Sequence, residues 1–163
     1  MVKYILDTNV LITAYRINYP FDVMPSFWNN LLAHAKKETF YLTREVLDEI
    51  ERGNDELSQW FFDNADCFTI LDSDNSNVIG AYQKIIDSAY KNPQYTISAK
   101  EEFARIADSW IIAHALAYNH VIVTEEVFQK NIKWKIKIPN ICYEFSIGYT
   151  NTIGFMRSIG IVI

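Results

Sequence analysis

The chain has 163 residues, 50% of them apolar and 15% aromatic, so it can bury a sizeable core and is not intrinsically disordered. With 15 basic against 20 acidic residues the formal charge is −5, which excludes a surface that attracts polyanions as a whole. No apolar run could cross a bilayer, the first residues do not read as a secretion signal, and Cys67 and Cys142 lack metal-ligand spacing, so reduced thiols and a cytoplasmic location are expected.

Val2 to Leu6 reads as a short buried strand, followed by a helix from near Asn9 that fades before Tyr19-Pro20. Ser26 is the expected cap of a helix to about Lys37, with Phe27, Leu31, Leu32 and Ala35 inward. Phe40 to Leu42 is a strand. Thr43 caps a helix holding Val46, Leu47 and Ile50, which ends at Gly53-Asn54. Asp55 opens another with Leu57, Trp60 and Phe61, and Cys67 to Leu71 is a further strand before the polar turn Asp72 to Asn77. The clearest period, Val78, Ile79, Tyr82, Ile85, Ile86, Ala89, gives a helix from about Asn77 to Tyr90. Ser98 with Glu101 forms a capping-box pattern, and Asp108 is placed to cap Ser109 to Tyr118. Val121 to Val123 is a buried strand. Asn140 and Thr152 are expected caps of two short helices, and Ile161 to Ile163 an expected terminal strand. Buried strands alternating with helices predict one α/β domain over residues 1–163, its parallel sheet covered on both faces.

The acids fall at suggestive places. Asp7 ends the first strand, Glu45 and Glu49 share one side of the helix after the second, Asp108 opens a later helix, and Glu125-Glu126 follow the strand after that. In a parallel sheet the strand-end acids share the carboxyl edge, where open α/β sheets bind ligands. Carboxylates converge only around a cation, and carboxylate oxygens suit Mg²⁺ or Mn²⁺. The bland alternatives are plain: Asp7 and Asp108 can be helix caps, and Glu49 can be a solvated residue pairing with Arg52. Glu45 reads as surface.

Four stretches, D-T-N at 7–9, V-L-D-E-I at 46–50 with its leading residue Val46, A-D-S-W-I-I-A-H-A at 107–115 and V-T-E-E at 123–126, together resemble the PIN-domain family of metal-dependent ribonucleases, VapC-like toxins among them. The resemblance implies a three-layer α/β/α sandwich with a central parallel sheet. It implies Asp7, Glu49, Asp108 and Glu126 as catalytic and metal-holding residues, with Asn9 and Thr124 in support. The fourth acid is a glutamate where many relatives carry aspartate. Ile138-Pro139-Asn140-Ile141-Cys142 further resembles a PIN-like bacterial branch whose members are mostly uncharacterised.

Ile132 to Ile138 alternates apolar groups with Lys133, Lys135 and Lys137, and with Lys130 forms the one concentrated basic patch. It suits an RNA backbone, and equally an edge strand guarded by lysines. Trp60-Phe61-Phe62 reads as core. His34, His114 and His120 do not cluster, and no phosphate-binding loop occurs. The expected function is a Mg²⁺/Mn²⁺-dependent endoribonuclease, as in the toxin half of a toxin–antitoxin pair, with RNA as substrate, an antitoxin protein as partner and a homodimer as the candidate assembly. The rivals are a PIN-like binding or regulatory module without turnover, and a phosphotransferase using Asp7 as nucleophile. Asn9 stands where that third class carries its second acid.

Overall fold

The computed structural model describes residues 1–163. Five strands form one sheet: β1 (Tyr4–Leu6), β2 (Phe40–Thr43), β3 (Ile70–Leu71), β4 (Val121–Val123) and β5 (Tyr149–Thr150). Their order is β3-β2-β1-β4-β5 and every pairing is parallel, with Tyr4 opposite both Phe40 and Val121. The chain therefore builds outwards from β1 in both directions, and the switch falls between β1 and β4. There two neighbouring strands end together: the Asp7 N–H donates to the Val123 carbonyl at 2.9 Å, and the Thr124 N–H to that of Thr150 at 2.9 Å.

Nine α-helices connect and cover the strands: α1 (Thr8–Thr13), α2 (Pro25–Lys36), α3 (Arg44–Gly53), α4 (Glu56–Asp63), α5 (Ser76–Lys91), α6 (Ile97–Arg105), α7 (Ala107–Tyr118), α8 (Ile138–Phe145) and α9 (Thr152–Ile159). Helix α7 packs on β1, β2 and β4 and is itself wrapped by α3, α5, α6 and α8. That burial explains its composition, because a helix enclosed on all sides cannot be amphipathic: Ile111, Ile112, Ala113 and Ala115 are all inaccessible. Against the sheet, Phe155 of α9 meets the rings of Tyr4 and Phe40 edge-on at 5.1 and 5.8 Å. Trp28 of α2 sits among Phe21, Phe27 and Trp60. Of the Trp60-Phe61-Phe62 run, Phe61 is buried and Trp60 half-buried, but Phe62 is 79% exposed.

Several helix starts differ from expectation. Thr43 and Asp55 do cap α3 and α4. Helix α2 instead begins at Pro25, whose missing N–H costs nothing at a first turn, and Ser26 caps nothing. Thr96 rather than the Ser98–Glu101 pair caps α6, Asn151 rather than Thr152 caps α9, and α8 starts at Ile138-Pro139, ahead of Asn140. Residues 161–163 form no strand, while the two-residue β5 was not anticipated. Helix α1 runs on as a π-helical turn over Ala14–Asn18. No helix is long and apolar enough to cross a membrane.

Candidate metal site at the carboxyl edge

Asp7 occupies the N-cap position of α1, yet its side chain caps nothing. The carboxylate turns instead to β4, where Oδ2 accepts a 2.9 Å hydrogen bond from the Thr124 hydroxyl. The same hydroxyl accepts from the Glu126 N–H at 3.1 Å, so Thr124 links the two strand ends. Asp7 is 1% exposed, and its Oδ1 is buried without any partner. A buried carboxylate oxygen with no donor is costly unless something cationic faces it.

Asp108 lies in the first turn of α7, beyond the cap position that it was expected to fill; Ile106 stands there and offers no side chain. Asp108 is 8% exposed, and its carboxylate accepts no hydrogen bond from the chain. Burial, then the charges of Asp7 and Glu126, push its pKa up to about 8, with Lys135 opposing. Burial likewise lifts Asp7 to about 6, despite the Thr124 hydrogen bond, with Glu126 and Glu49 adding to the rise. Asp7, Glu49, Asp108 and Glu126 thus lie near enough to feel one another's charge.

They do not all stand free there. Glu49 accepts from the Thr8 hydroxyl at 2.7 Å through Oε2 and from the Ala107 N–H at 3.3 Å through Oε1. Ala107 is the first residue of α7, so Glu49 supplies, from another helix, the cap that Ile106 cannot. Glu126 accepts from the Ile138 N–H at 2.9 Å, the first residue of α8, and from Lys135 Nζ at 2.8 Å. Glu125 accepts from the N–H of Thr152, the first residue of α9, at 2.8 Å. Each glutamate ties a helix N-terminus to the sheet edge, where partial positive charge favours a carboxylate. As the side chains stand, Glu49 and Glu126 have both oxygens engaged within the fold, and no three acids are gathered around one point.

Asp7 and Asp108 remain, and they fit a hard divalent cation: Mg²⁺ keeps several waters and takes one or two carboxylates, completing its shell with phosphate oxygens. Asn9 is exposed with no side-chain hydrogen bond, and the Thr8 hydroxyl between it and Asp7 is turned to Glu49. The Thr124 hydroxyl is the one side-chain donor to Asp7. Replacing it by valine should cost about 1–3 kcal/mol at pH 8, since it leaves Asp7 Oδ2 without a donor. Urea melts should show that loss shrinking at pH 5, where Asp7 is protonated in the fold and no longer needs to be stabilised as an anion.

The basic segment forms no strand. Gln94 donates from Nε2 to the carbonyls of Lys130 and Ile132 at 2.9 and 2.7 Å, and the Thr96 N–H donates to Lys133 at 2.9 Å. Those groups are therefore not available to a ladder. Ile132, Ile136 and Ile138 are buried, Trp134 is 68% exposed, Lys130 and Lys133 face solvent and Lys137 is half-buried. Only Lys135 reaches the acids. Elsewhere, His114 is buried with Nε2 3.0 Å from the Ser73 hydroxyl, and burial depresses its pKa to about 4, which suits a packing role.

Among known proteins, the model of the family described as "Domain of unknown function (DUF4411)" matches residues 4–163. No curated protein matches the chain. A chain of the VapBC2 complex from Rickettsia felis, bound to a DNA fragment from their promoter, is similar in structure, with a TM-score of 0.57 and 21% identity over 92% of this chain and 98% of that one. A chain of the DNA-bound VapBC complex from Salmonella typhimurium is similar with a TM-score of 0.52 and 15% identity, over 93% and 98%. The three-layer, PIN-like α/β/α architecture is the one this sequence adopts.

Proposed function

The chain belongs to the DUF4411 family, and from that premise we propose that it is a Mg²⁺- or Mn²⁺-dependent nuclease that hydrolyses RNA phosphodiester bonds, as the toxin of a toxin–antitoxin pair. The observation that carries the reading is Asp7 Oδ1, buried and unpartnered near a second buried carboxylate, Asp108, at the switch point of a parallel sheet. The fold shared with the two VapBC chains supports the toxin assignment and an antitoxin partner.

Asp7 and Asp108 would hold the cation. When bound, a divalent ion supplies an acidified water and offsets charge developing on the phosphate. Thr124 fixes the Asp7 carboxylate, and Glu49 holds the N-terminus of α7, hence Asp108, against α3. Neither Glu49 nor Glu126 needs to touch the ion for these roles. Asp7→Asn should lower Mn²⁺-dependent cleavage of single-stranded RNA by at least about a hundredfold, and calorimetry should show its Mn²⁺ binding lost. Equal cleavage by the wild type and this variant would end the nuclease reading.

A second reading, a PIN-like module that binds without turnover, draws on the engagement of Glu49 and Glu126, which leaves two free carboxylates where four were expected. It requires wild-type protein that shows no cleavage at any Mn²⁺ concentration.

A further inference from the structure

Lys135 is the one basic side chain of its segment that pairs with an acid, and the loop carrying it is held in several places. The Gln129 N–H donates to Asn140 Oδ1 at 3.1 Å and Asn140 Nδ2 returns to the Gln129 carbonyl at 2.9 Å. Gln94 and Thr96 fix the backbone at Lys130, Ile132 and Lys133, and Ile136 and Ile138 anchor the chain on either side. From this base Nζ meets Glu126 Oε1 at 2.8 Å, with the Glu126 side chain 10% exposed and that of Lys135 38% exposed. The other Glu126 oxygen is held by Ile138. An ammonium is thus delivered by a braced loop to Glu126, which Thr124 links to Asp7, within reach of the charges of Asp7 and Asp108. Burial works against the charged lysine, but Glu126, with Asp108 and Asp7 behind it, outweighs burial and raises its pKa.

We propose that Lys135 is a positioning residue that acts as the site's resident cation: by pairing with Glu126 it keeps that carboxylate away from the ion held by Asp7 and Asp108. The inference rests on the metal-site reading above and adds to it how many charges the pocket manages by itself. A fixed ammonium repels a divalent ion while offsetting one of four carboxylates. The wild-type pocket therefore binds metal loosely in the absence of substrate, and a phosphate is needed to complete the site.

The test is calorimetric titration of Mn²⁺ into the full chain at pH 8, with thermal melts to show that each variant is folded. Lys135→Gln and Lys135→Met, the latter keeping the apolar stem, should each bind Mn²⁺ at least tenfold more tightly than the wild type. Lys135→Arg should bind as the wild type does, and Asp7→Asn should not bind. A lysine that merely braced the loop would give the opposite sign, with weaker binding once it is removed. Unchanged or weaker binding by both neutral variants, with Asp7→Asn inert, overturns the role of Lys135 and leaves the metal site standing. Absence of Mn²⁺ binding in the wild type and in both neutral variants removes the site and this inference together.

Discussion

At pH 8 and in the presence of a chelator, Asp108→Asn should melt roughly 5 °C above the wild type, a gain of about 2 kcal/mol for a chain of this size. The cause is the buried carboxylate, whose pKa stands at about 8 in the fold against an ordinary 3.8. Between those values the folded chain retains a proton that the unfolded chain has released. The stability tied to that proton is complete below pH 3.8, declines as the pH rises and is gone above about 8. Asparagine has no proton to lose, so the advantage of the variant should vanish in melts at pH 4. Asp7 acts with the same sign over a narrower window, from 3.8 to about 6. Mn²⁺ at a hundredfold excess over its dissociation constant should restore about 2.7 kcal/mol to the wild type and nothing to the variant. A variant that melts lower than the wild type at pH 8 would show that Asp108 stabilises the fold as an anion, contrary to its surroundings. Stability given up at two aspartates is the usual mark of a site kept for a ligand.

Trp28→Ala should have the largest effect of the opposite sign. The ring is 2% exposed, its Nε1 donates to the Tyr19 carbonyl at 2.6 Å, and Phe21, Trp60 and Phe27 surround it at 4.5, 4.9 and 5.2 Å between ring centres. Truncation removes that packing and leaves a cavity, for a cost of about 3–5 kcal/mol. Denaturation in urea should show the midpoint fall, with the melting temperature about 10 °C lower or more. Trp28→Phe retains most of the volume and loses the donor, so it should cost about 1–2 kcal/mol through the orphaned Tyr19 carbonyl. Because α2 lies away from Asp7 and Asp108, folded Trp28→Phe should bind Mn²⁺ like the wild type.

The parts of the fold that the sequence made legible are those with a local cause. An apolar run marks β1 and a β-branched one β4, Thr43 and Asp55 open apolar-periodic stretches, and Asp7 follows its strand without a spacer. β5 escaped notice because two residues carry no period, and it is a strand only through its pairing with β4. The site was legible as a set of acids but not as a set of roles. That Glu49 and Glu126 would hold the first N–H of α7 and α8 depends on helices far along the chain, which no local pattern announces. Lys135 shared a regular alternation with Lys133 and Lys137, and only the loop's tertiary hydrogen bonds single it out. Thr8 could have been suspected from its place directly after Asp7, as a hydroxyl opening a helix beside an acid.

The bond between Thr124 and Asp7 spans 117 residues, and the Glu126 contacts reach as far as Ile138. On the ribosome, Asp7 emerges long before the hydroxyl that orients it and the lysine that pairs with Glu126. A nascent chain, or one cut short before about residue 138, would carry both aspartates and still lack a finished pocket. Competence then waits for the segment from Thr124 to Ile138, whichever part of the site was made first.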